Sequence, residues 1–247
     1  MDWCSRMTLA HSDAIQASLI PGIRLLDFED GVNSFYIIES ERGLKTLNSS
    51  MWGEGFGRHY RLMNRQVDRS YSCDDPMAEM NDFMRLKGLK AEGTAALLTA
   101  ARVKDRGYSE LSLHTGLKVC TWATAGLSNK ARAGQEQRPE ELFPGTINII
   151  TVIDGQLTDA AMVNAVITAT EAKTAALQDA GIRMEDIDKH ATGTTTDAVI
   201  IASTQEGPPF RYAGTATQLG YFVGRTVYES VKSSIVRYEQ WVLSSNQ

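Results

Sequence analysis

Residues 145–155 have the sequence GTINIITVIDG, and this stretch decides the fold class. Its β-branched, apolar run is bounded by glycine on both sides, which predicts a buried strand over residues 146–153. Thr158 is a good helix N-cap, and the residues after it predict a helix that runs to about Ala180 and ends at Gly181. A long helix directly after a buried strand is typical of a sheet that is covered by helices.

The rest of the chain extends this pattern in both directions. A second strand is predicted over residues 196–202 and a final helix over about 217–236. In the first half, residues 111–125 are strand-like, and a helix is predicted over 77–86, directly after a proline. We therefore expect a single domain over residues 1–247, of class α/β (or α+β), in which a layered mixed sheet is covered by long helices.

The composition limits the class of protein. Of the 247 residues, 43% are hydrophobic and 22% are charged, which suits a globular domain with its own core. A net charge of −5 without long basic runs argues against a nucleic-acid-binding surface. Three scattered cysteines argue against a disulfide framework or a structural zinc site. With no stretch typical of a signal peptide or a membrane span, we expect a cytoplasmic protein that inserts into no membrane.

The loop of residues 191–197 is the first candidate site. It contains Gly193, four threonines and Asp197. Its backbone N–H groups and hydroxyls can hold an anion or a developing oxyanion, and Asp197 can bind loop amides or act as a base. The alternative is an ordinary turn in which these side chains only cap backbone groups. The loop lacks the glycine and lysine spacing of a P-loop.

The helix predicted after Thr158 carries two further candidates, Glu171 and Lys173. They are two positions apart and therefore point in different directions. Lys173 lies on an apolar stripe, so it either extends to solvent or is held in a site. Glu171 is either an exposed carboxylate or a catalytic group. None of the four histidines has the spacing of a zinc motif, so we expect no protein-bound metal.

Six segments, in one order along the chain, carry a resemblance to a known family. They are NSSMWG at 48–53, residues 121–129 ending in AGLSN, GTINII at 145–150, residues 164–177 ending in TEAKTAAL, ATGTTTDA at 191–198, and YAGT at 212–215. In these segments the chain resembles the adenosylcobinamide amidohydrolase (CbiZ-type) family from about residue 48 to 228. Residues 1–45 form a strand-rich part where the resemblance is weakest, and we expect them to serve as scaffold or as a cover for the substrate.

The resemblance implies an enzyme of corrinoid salvage in cobalamin (vitamin B12) biosynthesis. Members hydrolyse the amide that joins a propionate side chain of the corrin ring to aminopropanol or its phosphate, which yields adenosylcobyric acid. The cobalt belongs to the corrinoid substrate, so no protein-bound cofactor is implied. Two other functions are compatible with the same loops: a corrinoid-binding protein without catalysis, and an amidase or acyltransferase that acts on another amide. The sequence leaves open whether the chain forms a homo-oligomer.

Amide hydrolysis requires an activated nucleophile, donors for the oxyanion and an acid for the leaving amine. On this interpretation, Asp197 or Glu171 activates water or a hydroxyl, Lys173 pairs with an acid or with the nucleophile, and Thr194 is an oxyanion donor. We expect small, polar or aromatic residues to bind the substrate. They are Ser49, Ser50, Trp52, Gly53, Gly55, Thr124, Ser128, Asn129, Thr146, Asn148, Thr192, Gly193 and Thr195.

Thr146 is also an alternative nucleophile. A Gly-Thr pair at the start of a strand yields an N-terminal threonine if the chain cleaves itself at that point. Two positions depart from the family pattern, which has a glycine in place of Glu54 and often one in place of Thr195. Glu54 adds a charge to a loop expected to approach the ligand, and Thr195 has less freedom at positive φ. We expect either change to alter the choice of substrate.

Overall fold

The computed structural model describes residues 12–114, 116–136, 145–185 and 187–245. The strands of these residues are β1 Ser12–Ala17, β2 Ile23–Phe28, β3 Phe35–Asn48, β4 Gly55–Gln66, β5 Thr94–Thr99, β6 Gly107–Ser112, β7 Lys118–Ala125, β8 Lys130–Ala131, β9 Ile147–Asp154, β10 Gln156–Leu157, β11 Gly193–Thr194, β12 Ala198–Ser203 and β13 Pro209–Phe210. The α-helices are α1 Pro76–Leu86, α2 Asp159–Asp179 and α3 Gln218–Ser245. This composition confirms the predicted α/β class.

One nine-stranded mixed sheet organises the molecule. Its main path has the order β1-β2-β3-β12-β9-β7-β6, and β4 joins β3 to β5 beside this path. The 14-residue strand β3 pairs with β4 along one edge, while β2 and β12 share its other edge. The register of β3 on β4 shifts between Glu39 and Leu44, and such an irregularity bends a strand. The bend allows β3 to leave β2 and continue beside β12.

The segment that decides the fold class forms a β-α-β unit. Strands β9 and β12 are parallel neighbours, with Ile150 opposite Ile200, and α2 connects them. The Thr158 side chain caps α2 by accepting a hydrogen bond of 3.1 Å from the N–H of Ala161. Gly181 follows the last turn with φ +69°, as expected of a residue that ends a helix. The prediction for this region is therefore confirmed at both helix ends.

Strand β9 is buried on both faces. Ile147, Ile149 and Ile153 pack in a core shared with α2 and α3. Ile150 and Val152 point to the opposite face, in a core shared with β2, β3, β4 and β7. A strand that is covered on both faces has no polar side to alternate with, which explains its nearly continuous apolar sequence.

Two predicted elements differ from the structure. The strand-like region 111–125 is divided between β6 and β7, which form an antiparallel hairpin around Gly116 at φ +95°. The final helix extends to Ser245 rather than 236. Its additional residues contact the rest of the protein through Arg237, which donates to the Arg106 carbonyl, and through Trp241, whose ring lies beneath the Arg69 and Arg102 guanidinium groups. Within the described ranges, none of the helices has an apolar stretch of the length needed to span a bilayer.

Two glycines of α3 provide a matched test of how closely this helix packs. A Cβ on Gly220 would lie 1.9 Å from the carbonyl oxygen of Gly214, whereas one on Gly224 would have its nearest contact, the Thr168 side chain, at 3.5 Å. We expect Gly220→Ala to lower the free energy of unfolding by about 2 kcal/mol through overpacking. Gly224→Ala is expected to raise it by up to about 1 kcal/mol through helix propensity. Urea denaturation of both variants checks this, and equal effects of the two would contradict it.

Candidate active site

A cleft of about 620 Å³ lies at the N-terminal ends of the parallel strands β9 and β12. Its polar lining comes from the segment after β3, from the start of β9 and from the loop before β12. The polar and glycine residues that line it are Ser49, Ser50, Tyr71, Thr99, Gly145, Thr146, Thr195, Thr196 and Asp197. The apolar residues are Met51, Trp52, Val67, Pro76, Met80, Ala96, Leu98, Ala100 and Ala198.

The Asp197 carboxylate fixes the loop before β12. It forms an ion pair with Lys173 of α2, and the exposed fractions of the two side chains are only 14% and 9%. Its Oδ1 atom also accepts hydrogen bonds from the N–H groups of Ile147 at 3.0 Å and Thr194 at 3.1 Å. The carboxylate therefore ties α2, the loop and the start of β9 together. Of the two sequence-based alternatives for Lys173, the structure supports the one in which it is held in a site.

Gly193 is required for this ion pair. A Cβ at this position would lie 2.2 Å from Oδ2 of Asp197 and 2.8 Å from Nζ of Lys173. Any side chain here would displace one partner or the other. The glycine of the loop therefore provides space for charged side chains, in addition to the backbone N–H expected from the sequence.

Thr146 and the Gly145 carbonyl face the same loop from β9. The Thr146 hydroxyl donates to the backbone oxygen of Thr196 at 2.9 Å and also contacts the Thr196 hydroxyl. The Gly145 carbonyl oxygen accepts from Nδ2 of Asn129 at 2.7 Å and from Oγ1 of Thr196 at 2.7 Å. Asn129 also donates to the Thr195 hydroxyl at 2.6 Å. Two donors at 2.7 Å thus converge on one peptide carbonyl at the edge of the cleft, and the hydroxyl of Thr194, the predicted oxyanion donor, lies 3.5 Å from the same oxygen.

The segment after β3 forms the opposite side of the cleft. Ser49 and Val199 of β12 hold each other through two hydrogen bonds, one of 2.9 Å to the Ser49 hydroxyl and one of 3.1 Å between backbones. The Ser50 hydroxyl donates to the Ala96 carbonyl of β5. Trp52 is buried, and its carbonyl accepts from the Asn48 side chain at 2.7 Å. These polar groups fix the position of the segment.

A second cleft of about 640 Å³ lies on the other side of the 191–197 loop. Thr195 and Asp197 line both clefts. The predicted residues that line only this second cleft are Lys173, Thr192, Gly193 and Thr194. Asp197 and its ion pair therefore separate the two clefts.

Seven predicted site residues line neither cleft. They are Glu171, Gly53, Gly55, Thr124, Ser128, Asn129 and Asn148. Glu171 is exposed on α2, while Asn129 contacts the cleft indirectly through Gly145. Thr124 and Asn148 lie in the sheet interior, where each bonds the Asn64 side chain. Their interaction with Asn64 accounts for polar residues inside two apolar strands.

Apart from Trp52, the apolar wall of the cleft was not predicted from the sequence. Tyr71, Pro76 and Met80 reach the cleft from the segment that connects β4 to β5, which includes α1. Partial burial, with the Glu79 carboxylate beside it, raises the pKa of the Tyr71 hydroxyl to about 12, so Tyr71 is protonated at neutral pH. Thr196 was also missed as a site residue, although it is in the threonine-rich loop that the sequence did identify.

The two departures from the family pattern have different structural settings. Thr195 does not adopt a positive φ, since Gln205 is the only non-glycine residue of the described ranges that does. The expected loss of backbone freedom at Thr195 is therefore wrong. Glu54 is exposed and lines neither cleft, so its charge lies outside the candidate site. In the part of the chain that the structure describes, no three His, Cys, Asp or Glu side chains are grouped as metal ligands would be.

Comparison with known proteins gives consistent matches over most of the chain. The family model described as adenosylcobinamide amidohydrolase matches residues 25–242. A Methanosarcina mazei protein named adenosylcobinamide amidohydrolase is 30% identical, over 73% of this chain and 85% of its own. One of the same name from Halobacterium salinarum is 29% identical, over 76% and 78%. An uncharacterized Methanocaldococcus jannaschii protein is 30% identical, over 83% and 86%.

Proposed function

This chain belongs to the adenosylcobinamide amidohydrolase family, and from that premise we propose that it hydrolyses the aminopropanol amide of adenosylcobinamide, or of its phosphate. The products would be adenosylcobyric acid and aminopropanol or its phosphate. In this proposal the protein acts in corrinoid salvage, and the cobalt enters and leaves as part of the substrate.

The observation that carries the proposal is the composition of the first cleft. Three separate family-like segments, at 48–53, 145–150 and 191–198, all contribute to its lining. Its volume lies within the usual range for ligand sites, and it combines an apolar wall with a rim of hydroxyls and peptide groups. Such a lining suits a corrinoid, which has an apolar ring and amide side chains. We propose that one amide side chain enters the cleft while most of the ring remains outside.

The chemistry we propose centres on Thr146. Thr146 lines the cleft, and its hydroxyl would attack the amide carbon, with Asn129 and Thr196 as the nearest donors for an oxyanion. Asp197 is a positioning residue: it holds Ile147, the next residue, while the Lys173 ammonium neutralises its charge. Glu171 takes no part, because it is exposed and lines neither cleft.

The direct test is incubation of the purified protein with adenosylcobinamide, followed by chromatography of the products. We expect adenosylcobyric acid and an equal amount of free aminopropanol. Release of aminopropanol distinguishes an enzyme from a binding protein, because binding alone leaves the amide intact.

Two other results would overturn the proposal. A corrinoid-dependent rise in melting temperature without product would indicate a binding protein. Hydrolysis of unrelated amides, without affinity for corrinoids, would indicate an amidase or acyltransferase with another substrate.

A further inference from the structure

Among the residues that the structure describes, the intact site lacks one component of the proposed chemistry. A neutral threonine hydroxyl is a weak nucleophile and needs a base within hydrogen-bond reach. The hydrogen-bond partners that the structure gives the Thr146 hydroxyl both belong to Thr196, and neither is a titratable group. The nearby carboxylate of Asp197 is already occupied by Lys173 and by hydrogen-bond donors from Ile147 and Thr194.

The Gly145–Thr146 peptide bond is positioned like the scissile amide bond of a substrate. The Gly145 oxygen receives two hydrogen bonds of 2.7 Å, one from the Asn129 amide and one from the Thr196 hydroxyl. Two donors on one carbonyl oxygen form the arrangement that stabilises the oxyanion of a tetrahedral intermediate. The Thr146 hydroxyl is on the adjacent residue, so its attack on the Gly145 carbon closes a five-membered ring.

Gly145 has to be glycine for this arrangement to exist. A Cβ at this position would lie 2.2 Å from Oδ1 of Asn129 and 2.8 Å from Oγ of Ser128. A larger residue would push Asn129 away from the carbonyl that it bonds. The same glycine therefore allows the close approach of the donor and leaves the carbonyl carbon without a side chain that could shield it.

From this geometry we infer that the protein cleaves its own Gly145–Thr146 peptide bond. The Thr146 oxygen attacks the Gly145 carbonyl carbon, the C–N bond breaks, and the proton of the Thr146 hydroxyl passes to the departing nitrogen. The product is an ester between Gly145 and the Thr146 oxygen. A water molecule then hydrolyses the ester, leaving a carboxylate on Gly145 and a free amino group and hydroxyl on Thr146.

Cleavage supplies the base that the intact site lacks. This part of the inference rests on the proposed function. The new α-amino group of Thr146 is a base attached to the same residue as the nucleophile, as in enzymes with an N-terminal threonine. Once the Gly145 carbonyl moves away, Asn129 and Thr196 can donate to the carbonyl of a substrate amide.

The two fragments would stay together after cleavage. Residues 1–145 contribute β3 and β7 to the sheet, while residues 146–247 contribute β9 and β12. In the order β3-β12-β9-β7, each fragment therefore pairs with the other through hydrogen-bonded strands. We expect a single peak in gel filtration and two chains under denaturing conditions.

Mass spectrometry of the denatured full-length protein tests the inference. We expect two chains, residues 1–145 and 146–247, whose masses together exceed that of the intact chain by one water. Sequencing of the second should begin Thr-Ile-Asn-Ile-Ile. Thr146→Ser should still be cleaved, and Thr146→Ala should stay intact. Thr196→Ala, which removes one donor at an exposed position, should slow cleavage by about 10²-fold.

Contrary results are equally specific. Intact wild-type protein that hydrolyses adenosylcobinamide would overturn self-cleavage and leave the proposed function standing. Cleaved protein that does not hydrolyse adenosylcobinamide would overturn the proposed function and leave self-cleavage standing. A cut at another bond, or an equal cut in Thr146→Ala, would show the action of an external protease and overturn the inference. If Thr146→Ala fails to fold, a wild-type cleavage rate in Thr196→Ala would overturn it instead.

Discussion

Replacing Thr146 with alanine is expected to lower kcat/KM for adenosylcobinamide by about 10³-fold or more, because the variant lacks the attacking hydroxyl. Thr146 is buried, directly precedes β9, and is one of the residues that line the cleft. Removal of the nucleophile abolishes the covalent route, while the rest of the cleft lining is unchanged. We therefore expect the loss in kcat, with little change in KM. Steady-state kinetics measured by release of aminopropanol checks this.

Thr146→Ser is the matched control for this prediction. It keeps the hydroxyl and removes only a methyl group, so we expect it to retain activity within about tenfold of the wild type. The melting temperatures of both variants show whether each is folded. A folded Thr146→Ala variant with wild-type turnover would exclude Thr146 as the nucleophile and would favour direct attack by water.

Replacing Lys173 with methionine is expected to lower the free energy of unfolding by about 3 kcal/mol, because it leaves the nearly buried Asp197 carboxylate without its cation. For a chain of this length, a loss of that size corresponds to a melting temperature lower by about 8 °C. Methionine has a similar length and packs well in an apolar setting, so lost volume contributes little. Differential scanning calorimetry at neutral pH provides the measurement.

Two further variants separate the ion pair from other effects. Arg85→Met breaks an exposed pair with Asp82, and we expect a change below about 1 kcal/mol. Asp197→Asn combined with Lys173→Met should be less destabilising than the sum of the two single variants, since no buried charge remains. Strict additivity of the two changes would contradict a direct interaction between these side chains.

Much of the second half of the fold could be predicted because its signals are local. The cap at Thr158, the glycine at 181 and the apolar run of β9 each act over a few neighbouring residues, and each is confirmed. The hairpin of β6 and β7 was missed, because Leu113 and Leu117 carry the strand-like sequence up to both sides of the turn and Gly116 is the only glycine between them. A strand run and a hairpin with a short turn differ little in composition.

The sequence singled out loops that the structure places at the first cleft, but not the partners of these loops. Asp197, Lys173 and Thr146 stand out from their own segments, so residue type and helical or strand position were sufficient to select them. Glu171 stands out in the same way, yet it is exposed and lines neither cleft. Local pattern alone thus marks polar residues of interest without indicating which ones face a common space.

Residue type, periodicity and capping signals predict the α/β class and the boundaries of α2, and six short segments carry the resemblance to the family. Each of these is encoded in short stretches of sequence. The contacts of Asn129 and Thr196 with the Gly145 carbonyl have no such local origin, since the two residues are 16 and 51 positions from Gly145 along the chain. Gly145 and Thr196 meet because β9 and β12 are parallel neighbours in one sheet, so that their N-terminal ends lie side by side. Asn129 joins them because β7 is antiparallel to β9 and ends beside the start of that strand. Pairing between distant strands has no local signal, which is why the arrangement around the Gly145 carbonyl becomes visible only in the folded chain.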